Sequence, residues 1–360
     1  MSKDYYIIPI FVPHFGCPHD CVFCNQRRIT GISTDVTPDY IERTIEEYLA
    51  TFPKREITVE VAFYGGSFTG IPVDIQRELL NVSFKYKNKG LIDAIRLSTR
   101  PDYIDNHILG MLKEYKVDTI ELGVQSLNNE VLIKSGRGHN SEQVYMASKL
   151  IKEHNFNLGL QMMVGLPGDS RERSIYTAKE FIKLKPYCVR IYPTLVIKDT
   201  YLEKLYNRRA YKPLSLEEAI DISTDLLMLF EYHDINVIRV GLQPTDNINF
   251  GKDVIAGPFH PSFRQLVESN KYRILLESSL DRFRDSYIGT DLVININQKH
   301  VSNLVAQKSS NIKYLKDKYK FKNIKVLGKD LPKDIIQLSI GDSCLNLDIK
   351  QFIGEYIKQI

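Results

Sequence analysis

The sequence has no hydrophobic run near the roughly 18 apolar residues that a membrane-spanning helix requires. Its first residues, MSKDYYIIPIFVPHFGC, lack the basic start and the small-residue cleavage site of a secretory signal peptide. It also has no internal repeat and no low-complexity tract. These absences argue against the membrane, secreted and repeat classes, and we expect a cytoplasmic protein without a membrane partner.

Cysteine and net charge are both scarce. The net charge is only +4, too small to indicate a polyanionic partner for the whole surface, although Lys and Arg are concentrated between Lys299 and Lys333. Of the five cysteines, three lie within eight residues, whereas Cys188 and Cys344 stand alone. This odd, clustered set is not a disulfide framework, and we interpret the two isolated cysteines as small hydrophobic residues.

Strand-like and helix-like segments alternate from the N-terminus to about residue 235. Near-continuous apolar runs rich in β-branched residues are typical of parallel strands covered on both faces. Six such units predict an α/β fold, a partial (β/α)6 TIM-like barrel, with Asn236–Leu242 as a further edge strand. The six predicted strands are Tyr6–Val12, Val59–Tyr64, Ile95–Thr99, Thr119–Gln125, Leu158–Val164 and Val189–Val196.

The pattern changes near Leu292, where the predicted order becomes βααββα and ends in a helix over Leu347–Ile360. This order predicts a small C-terminal α+β module. We therefore expect a core over residues 1–245, a linker or barrel-capping segment over 246–290, and the module over 291–360.

Three cysteines, Cys17, Cys21 and Cys24, lie in the run GCPHDCVFCN. Soft thiolates from one short loop suit an iron–sulfur cluster, and three ligands on a four-iron cluster leave one iron open. The alternative is a zinc site with His14 or His19 as the fourth ligand. No second Cys-x2-Cys pair follows, so the cluster is favoured.

The Cys-x3-Cys-x2-Cys spacing, with Phe23 before the last cysteine, resembles the radical S-adenosylmethionine (SAM) superfamily. This resemblance implies a [4Fe–4S] cluster whose open iron chelates SAM, and reductive cleavage of SAM to a 5′-deoxyadenosyl radical. It also implies an external electron donor such as flavodoxin or ferredoxin.

The resemblance further implies SAM contacts in the loops that follow successive predicted strands. Ser67 stands where the family often has an acidic residue. For Arg100 the alternative is a helix cap with an ion pair, and for Glu121 it is a structural salt bridge with Arg96 or Arg190. The implied contacts are Gly65, Gly66, Ser67, Ser98, Arg100, Glu121, Gln125, Arg137, Met163, Gly165 and Arg190.

Within the superfamily, the runs RIYPTLVIKDTYLEKLY, YKPLSLEEAI, GGSFT and STRPDYI resemble the radical SAM domain of the Elongator catalytic subunit family. That family modifies the wobble uridine of tRNA, so the resemblance implies a transferase acting on a tRNA base. Two departures limit it. The first two cysteines are closer together here, and no acetyl-CoA-type glycine motif follows Leu242, so no acetyltransferase domain is expected.

The predicted C-terminal module is similar to a KH domain, whose GxxG loop clamps a nucleic-acid backbone. Ala306 and Ser309 occupy the two glycine positions, which impairs close backbone approach. Nearby positive charge still favours RNA, with tRNA as the expected partner. It comes from Lys299, Lys308, Lys313 and Lys316.

Two alternatives remain open at this point. The short cysteine spacing, the GVQS run and the later Arg137 also resemble the anaerobic coproporphyrinogen III oxidase type, which acts on a small molecule. A non-catalytic RNA-binding protein with structural zinc is the other.

Overall fold

The computed structural model describes residues 4–12, 21–25, 36–243, 248–281, 288–341 and 343–360. Within these residues, seven parallel strands form the larger sheet, in the order β1-β2-β3-β4-β5-β6-β8. This curled, open sheet confirms the predicted α/β fold and partial TIM-like barrel. The strands are β1 (Tyr5–Val12), β2 (Thr58–Gly65), β3 (Ala94–Thr99), β4 (Thr119–Gln125), β5 (Asn157–Val164), β6 (Cys188–Pro193) and β8 (Asn236–Val240).

Helices cover the outer face of this sheet. They begin where the sequence supplies capping groups: Thr37, Asp105, Ser170 and Ser215 each accept a hydrogen bond from an amide three residues later. The helices of this region are α1 (Pro38–Thr51), α2 (Val73–Asn88), α3 (Asn106–Glu114), α4 (Asn129–Lys134), α5 (Ser141–Glu153), α6 (Arg171–Leu184), α7 (Tyr201–Asn207) and α8 (Leu216–Tyr232).

The sixth predicted strand, Val189–Val196, is too long. The observed strand ends at Pro193. Farther along the chain, a separate short strand, β7 (Val196–Ile197), pairs antiparallel with β9 (Val254–Ala256). Proline cannot donate to a sheet ladder, which explains the break.

A second mixed sheet builds the C-terminal module, with strand order β11-β10-β12-β13. Strands β10 and β11 are parallel, and the other two pairings are antiparallel. The module consists of β10 (Asp291–Asn297), α10 (Val301–Val305), α11 (Ser310–Tyr319), β11 (Asn323–Lys329), β12 (Ile335–Ile340), β13 (Ser343–Asp348) and α12 (Ile349–Tyr356).

The predicted terminal helix over Leu347–Ile360 is wrong at its start. Strand β13 runs to Asp348, whose side chain accepts a hydrogen bond from the Gln351 amide and so begins α12. Leu345 and Leu347 alternate with polar residues, which is the strand pattern. The module therefore contains one more strand than predicted, and its likeness to a KH domain stays a prediction.

One long helix, α9 (Phe263–Asp281), was not predicted from the sequence; it lies in the segment interpreted as a linker or cap. Its first part contributes Phe263 and Val267 to the core of the large sheet. Its later part contributes Tyr272 and Leu276, among others, to the core of the C-terminal module. Because α9 packs against two cores, its apolar residues do not form a single stripe, and the pattern is hard to detect.

In the described part of the chain, no helix is both long and apolar enough to cross a membrane.

Candidate active site

A cavity lies at the carboxyl ends of β2, β3 and β4, the edge where parallel α/β sheets bind their ligands. It brings together most of the residues that the sequence analysis connected with SAM, and it adds four that were not predicted, namely Phe23, Thr99, Gly123 and Gln161. The full lining is Cys21, Phe23, Cys24, Gly65, Gly66, Ser67, Ser98, Thr99, Arg100, Gly123, Gln125, Arg137 and Gln161.

A tight turn presents the two described cysteines. The Cys24 amide donates to the Cys21 carbonyl at 2.9 Å. Between them, Val22 donates its amide to the Ser135 carbonyl at 3.1 Å and accepts from the Leu202 amide at 2.7 Å, which ties the turn to the body of the protein. Cys17 lies outside the described residues, so its place beside the other two stays a prediction.

Two guanidinium groups converge on the Cys21 sulfur. The Nη1 atom of Arg137 lies 3.2 Å from Sγ, and the Nη1 atom of Arg100 lies 4.0 Å from it. Both arginines are almost completely buried. Buried positive charge beside a sulfur stabilises a thiolate or an anionic cluster bound through it.

Arg100 is held by an ion pair with Asp102, through two hydrogen bonds of 2.9 Å. Burial opposes ionisation of Asp102, but the bond to Arg100 and its charge outweigh burial and hold the pKa of Asp102 below its ordinary value. A third bond of 2.5 Å runs from Arg100 to the Arg137 carbonyl. The ion pair that the sequence analysis gave as the alternative role of Arg100 is therefore present. It leaves the Nη1 atom of Arg100 directed at Cys21.

The end of β4 combines an unusual backbone conformation with buried polar atoms that have no partner among the described residues. Gln125 has a positive φ of 71°, at a register shift in the pairing of β4 with β5. Its Oε1 atom is buried and has no hydrogen-bond partner among the described residues, and the same holds for Nε of Arg137. A Cβ atom at Gly123 would lie 3.2 Å from Gln125 Nε2 and 3.6 Å from Arg137 Nη2. Buried polar atoms without partners are costly, and a bound polar ligand would satisfy them.

These observations fit the predicted cofactors. Cysteine sulfur is the preferred ligand of an iron–sulfur cluster, and the arginines offset its negative charge. The orphaned amide and guanidinium atoms, together with the backbone of Gly65 and Gly66, suit the charged amino-acid end of SAM.

Glu121 does not line the cavity; it lies in a buried ionic network beneath it. Its two oxygens accept from Arg96 Nη1 at 2.7 Å, from Arg190 Nε at 2.6 Å and from Gln161 Nε2 at 2.9 Å. Arg96 also binds Glu60 at 2.8 Å. Burial would raise the pKa of Glu121, but Arg190 and Arg96 outweigh it and lower the pKa. The salt-bridge alternative is what the structure contains for Glu121 and Arg190.

Met163 and Gly165 are also absent from the cavity lining. Met163 is half-buried on the inner face of β5. Gly165 lines a different cavity with Tyr211 and Leu214, and a Cβ atom there would come within 2.8 Å of the Leu214 side chain. This glycine is required for local packing.

His139 is a buried neighbour of the site that the sequence did not single out as a ligand. Burial, followed by the charges of Arg137 and Arg100, lowers its pKa to about 3, so its ring is neutral near pH 7. Of the lining residues that were not predicted, Gln161 could have been found from the sequence, because it lies on the same face of β5 as Gly159 and Met163.

Comparison with known proteins agrees with this geometry. A model of the radical SAM superfamily matches residues 11–180, and a model of the Radical_SAM C-terminal domain matches residues 186–273.

Among curated proteins, the tRNA uridine(34) acetyltransferase of Methanocaldococcus infernus is 27% identical in an alignment 259 positions long, which covers 60% of this chain and 48% of that protein. The heme chaperone HemW of Lactococcus lactis is 26% identical over 248 residues, covering 67% of this chain and 62% of that protein. The chain thus spans only about half of the archaeal relative and less than two thirds of HemW.

Among solved structures, the archaeal Elp3 of Methanocaldococcus infernus superposes with a TM-score of 0.60 at 19% identity. The superposition covers 95% of this chain and 75% of that one, and it supports the fold. Since the two family matches cover most of the chain and the cavity lies within the first, the chain belongs to the radical SAM superfamily and is an enzyme that uses a [4Fe–4S] cluster and SAM.

Proposed function

We propose that this radical SAM enzyme modifies a base of tRNA. The proposal depends mainly on the similarity to a tRNA uridine(34) acetyltransferase, which covers 60% of this chain. Because the chain covers only 48% of that relative, transfer of an acetyl group is not part of the proposal.

In this proposal Cys17, Cys21 and Cys24 hold the cluster, and the residues around Gly65, Ser98, Gln125 and Arg137 hold SAM. The bound cofactors supply a one-electron cleavage that yields a radical able to abstract hydrogen. The protein orients SAM through the buried polar atoms of Gln125 and Arg137. A low-potential donor such as flavodoxin or ferredoxin would deliver the electron.

Exposed positive charge on the C-terminal module supports an RNA substrate. The four lysine side chains that carry this charge form no ion pair within the described residues, so they are available for phosphate contacts. They belong to Lys299, Lys308, Lys313 and Lys316. The nearby loop at Ala306 and Ser309 has positive φ values of 63° and 56°, so it adopts glycine-like backbone without glycine.

The decisive experiment compares tRNA nucleosides by mass spectrometry. A strain lacking the gene is complemented with the wild-type gene or with Cys21→Ser. A nucleoside that is lost on deletion, restored by wild type and not restored by Cys21→Ser supports the proposal. An unchanged nucleoside profile contradicts it.

Anaerobic reconstitution provides the matching test in vitro. The reconstituted wild type should contain about four irons per chain and release 5′-deoxyadenosine from SAM under reduction. If cleavage instead increases only with coproporphyrinogen III, and not with tRNA, the small-molecule alternative is favoured.

A further inference from the structure

The inner face of the barrel carries an arginine that the cofactor site does not use. Strand β6 pairs with β8 in parallel, and Arg190 lies opposite Arg239 directly after a register shift that follows Val189. Residues that are paired across neighbouring strands point to the same face of the sheet. Arg190 reaches Glu121 and the Tyr64 hydroxyl on the inner face, so Arg239 also lies on that face.

The charges that the described residues contribute to this inner face do not balance. Glu60 and Glu121 are matched by Arg96 and Arg190, through bonds of 2.6 to 2.8 Å. Arg239 is the additional positive charge. Among the described residues it forms no ion pair, and its guanidinium donates only to the neutral side-chain oxygen of Gln243.

Arg239 is half-buried, so its guanidinium is partly desolvated without a carboxylate partner among the described residues. Burial, together with the neighbouring Arg190 charge, lowers the pKa of Arg239. Arg264 adds further repulsion, and it is itself paired with Glu268 at 3.6 Å. An uncompensated cation in this position would be stabilised by an anion from outside the chain.

Aromatic rings surround the same space. The Tyr64 ring lies 5.1 Å from the Arg190 guanidinium carbon and 6.3 Å from the Phe11 ring. Tyr192 follows Arg190 on the same face of β6, and all three rings are half-buried. Proteins recognise unstacked RNA bases with aromatic rings and RNA phosphates with arginine.

The position relative to the cofactor cavity is also suitable. Gln161 lines that cavity and lies opposite Arg190, which lies opposite Arg239. Two strand spacings separate Gln161 from Arg239, or about 10 Å. That distance is similar to the span between a nucleobase and a phosphate of the adjoining backbone.

We propose that Arg239 binds a phosphate of the RNA backbone next to the modified base and so fixes the substrate below the cofactor cavity. This inference depends on the proposed function. Arg239 is a substrate-binding residue here, and no contact to the cluster or SAM is assigned to it.

The test uses the reconstituted holoenzyme and bulk tRNA as the probe, with affinity measured over a series of salt concentrations. Four proteins are compared: wild type, Arg239→Gln, Arg239→Lys and the control Arg43→Gln. Arg43 is exposed on α1, where its guanidinium lies near Glu47 and the Tyr40 ring. We expect Arg239→Gln to weaken tRNA binding roughly tenfold and to reduce the salt slope by roughly 0.7 to 1. Arg239→Lys should retain most of the slope, and Arg43→Gln should match wild type.

Stability separates substrate binding from a structural role. Removing an uncompensated cation should leave the thermal midpoint of Arg239→Gln equal to or above that of wild type, whereas a structural arginine would lower it.

The two failures are distinguishable. If wild type binds tRNA and Arg239→Gln binds it equally with the same slope, the inference is overturned and the proposed function stands. If wild type itself shows no salt-dependent tRNA binding, both are overturned. A lowered thermal midpoint without a change in slope assigns Arg239 a structural role and also overturns the inference.

Discussion

The Nη1 atom of Arg137 lies 3.2 Å from the Sγ atom of Cys21, although 116 residues separate them in sequence. The segment between α4 and α5 thereby places positive charge beside the cysteine loop that follows β1. Arg137 also donates to the Gly123 carbonyl, which fixes its guanidinium in place. Positive charge near cluster sulfur favours the reduced state.

Arg137→Gln should therefore make the cluster harder to reduce. The expected result is a more negative reduction potential, measured by an electron paramagnetic resonance titration, with an iron content close to wild type. Arg173→Gln is the control, because Arg173 binds Glu130 at the surface, away from the cavity lining. An unchanged potential at full iron content would contradict the assigned role.

The cysteines provide a second prediction. Cys21→Ser and Cys24→Ser should each lose most bound iron and SAM cleavage, because a serine hydroxyl is a poor ligand for the cluster. Cys344→Ser should keep both, since Cys344 is exposed on β13. Iron analysis and the visible spectrum after anaerobic reconstitution measure the difference. A full iron content in Cys21→Ser would remove this residue from the ligand set.

Glu121→Gln should destabilise the fold strongly. It leaves Arg96 and Arg190 buried without their shared carboxylate, a loss of about 3–5 kcal/mol of unfolding free energy. Glu114→Gln, which removes an exposed pair with Arg77, should cost less than about 1 kcal/mol. Urea denaturation followed by circular dichroism provides both values. Equal losses in the two variants would contradict this account of the network.

The same carboxylate predicts a pH dependence. The folded protein holds the pKa of Glu121 below its unfolded value, so the unfolded state binds more protons as the pH falls. Its contribution to stability is complete above the unfolded pKa and is lost as the pH falls through the folded pKa. Wild type should therefore lose stability on acidification more steeply than Glu121→Gln. Parallel curves of unfolding free energy against pH for the two proteins would contradict this.

Much of the fold could be predicted because parallel strands covered on both faces have a nearly continuous apolar pattern, as β4 illustrates. Helix α9 could not, because it packs against two cores and has no single apolar stripe. Within the site, local motifs indicated Cys21, Gly65 and Arg137. The role of Glu121 could not be predicted, because its ion-pair partners lie on other strands and the sequence does not reveal which carboxylates are already paired.

Ala306 offers a test of the loop between α10 and α11. Its φ of 63° and ψ of 175° lie in a region that only glycine adopts without strain. Ala306→Gly should therefore raise the free energy of unfolding by about 1 kcal/mol. Ala50→Gly, on the exposed face of α1, should lower it by roughly 0.5–1 kcal/mol. If the loop contacts RNA as a KH loop does, Ala306→Gly should also increase tRNA affinity. A lower free energy of unfolding for Ala306→Gly would contradict backbone strain at this residue.

Helix α9 places Phe263 in one hydrophobic core and Leu276 in the other. Because α9 is one continuous helix, it connects the two sheets rigidly. Heating should then disrupt both together, and calorimetry should record a single cooperative endotherm for the whole chain. The same rigid connection also keeps a constant spacing between the lysine-bearing surface of the module and the mouth of the barrel.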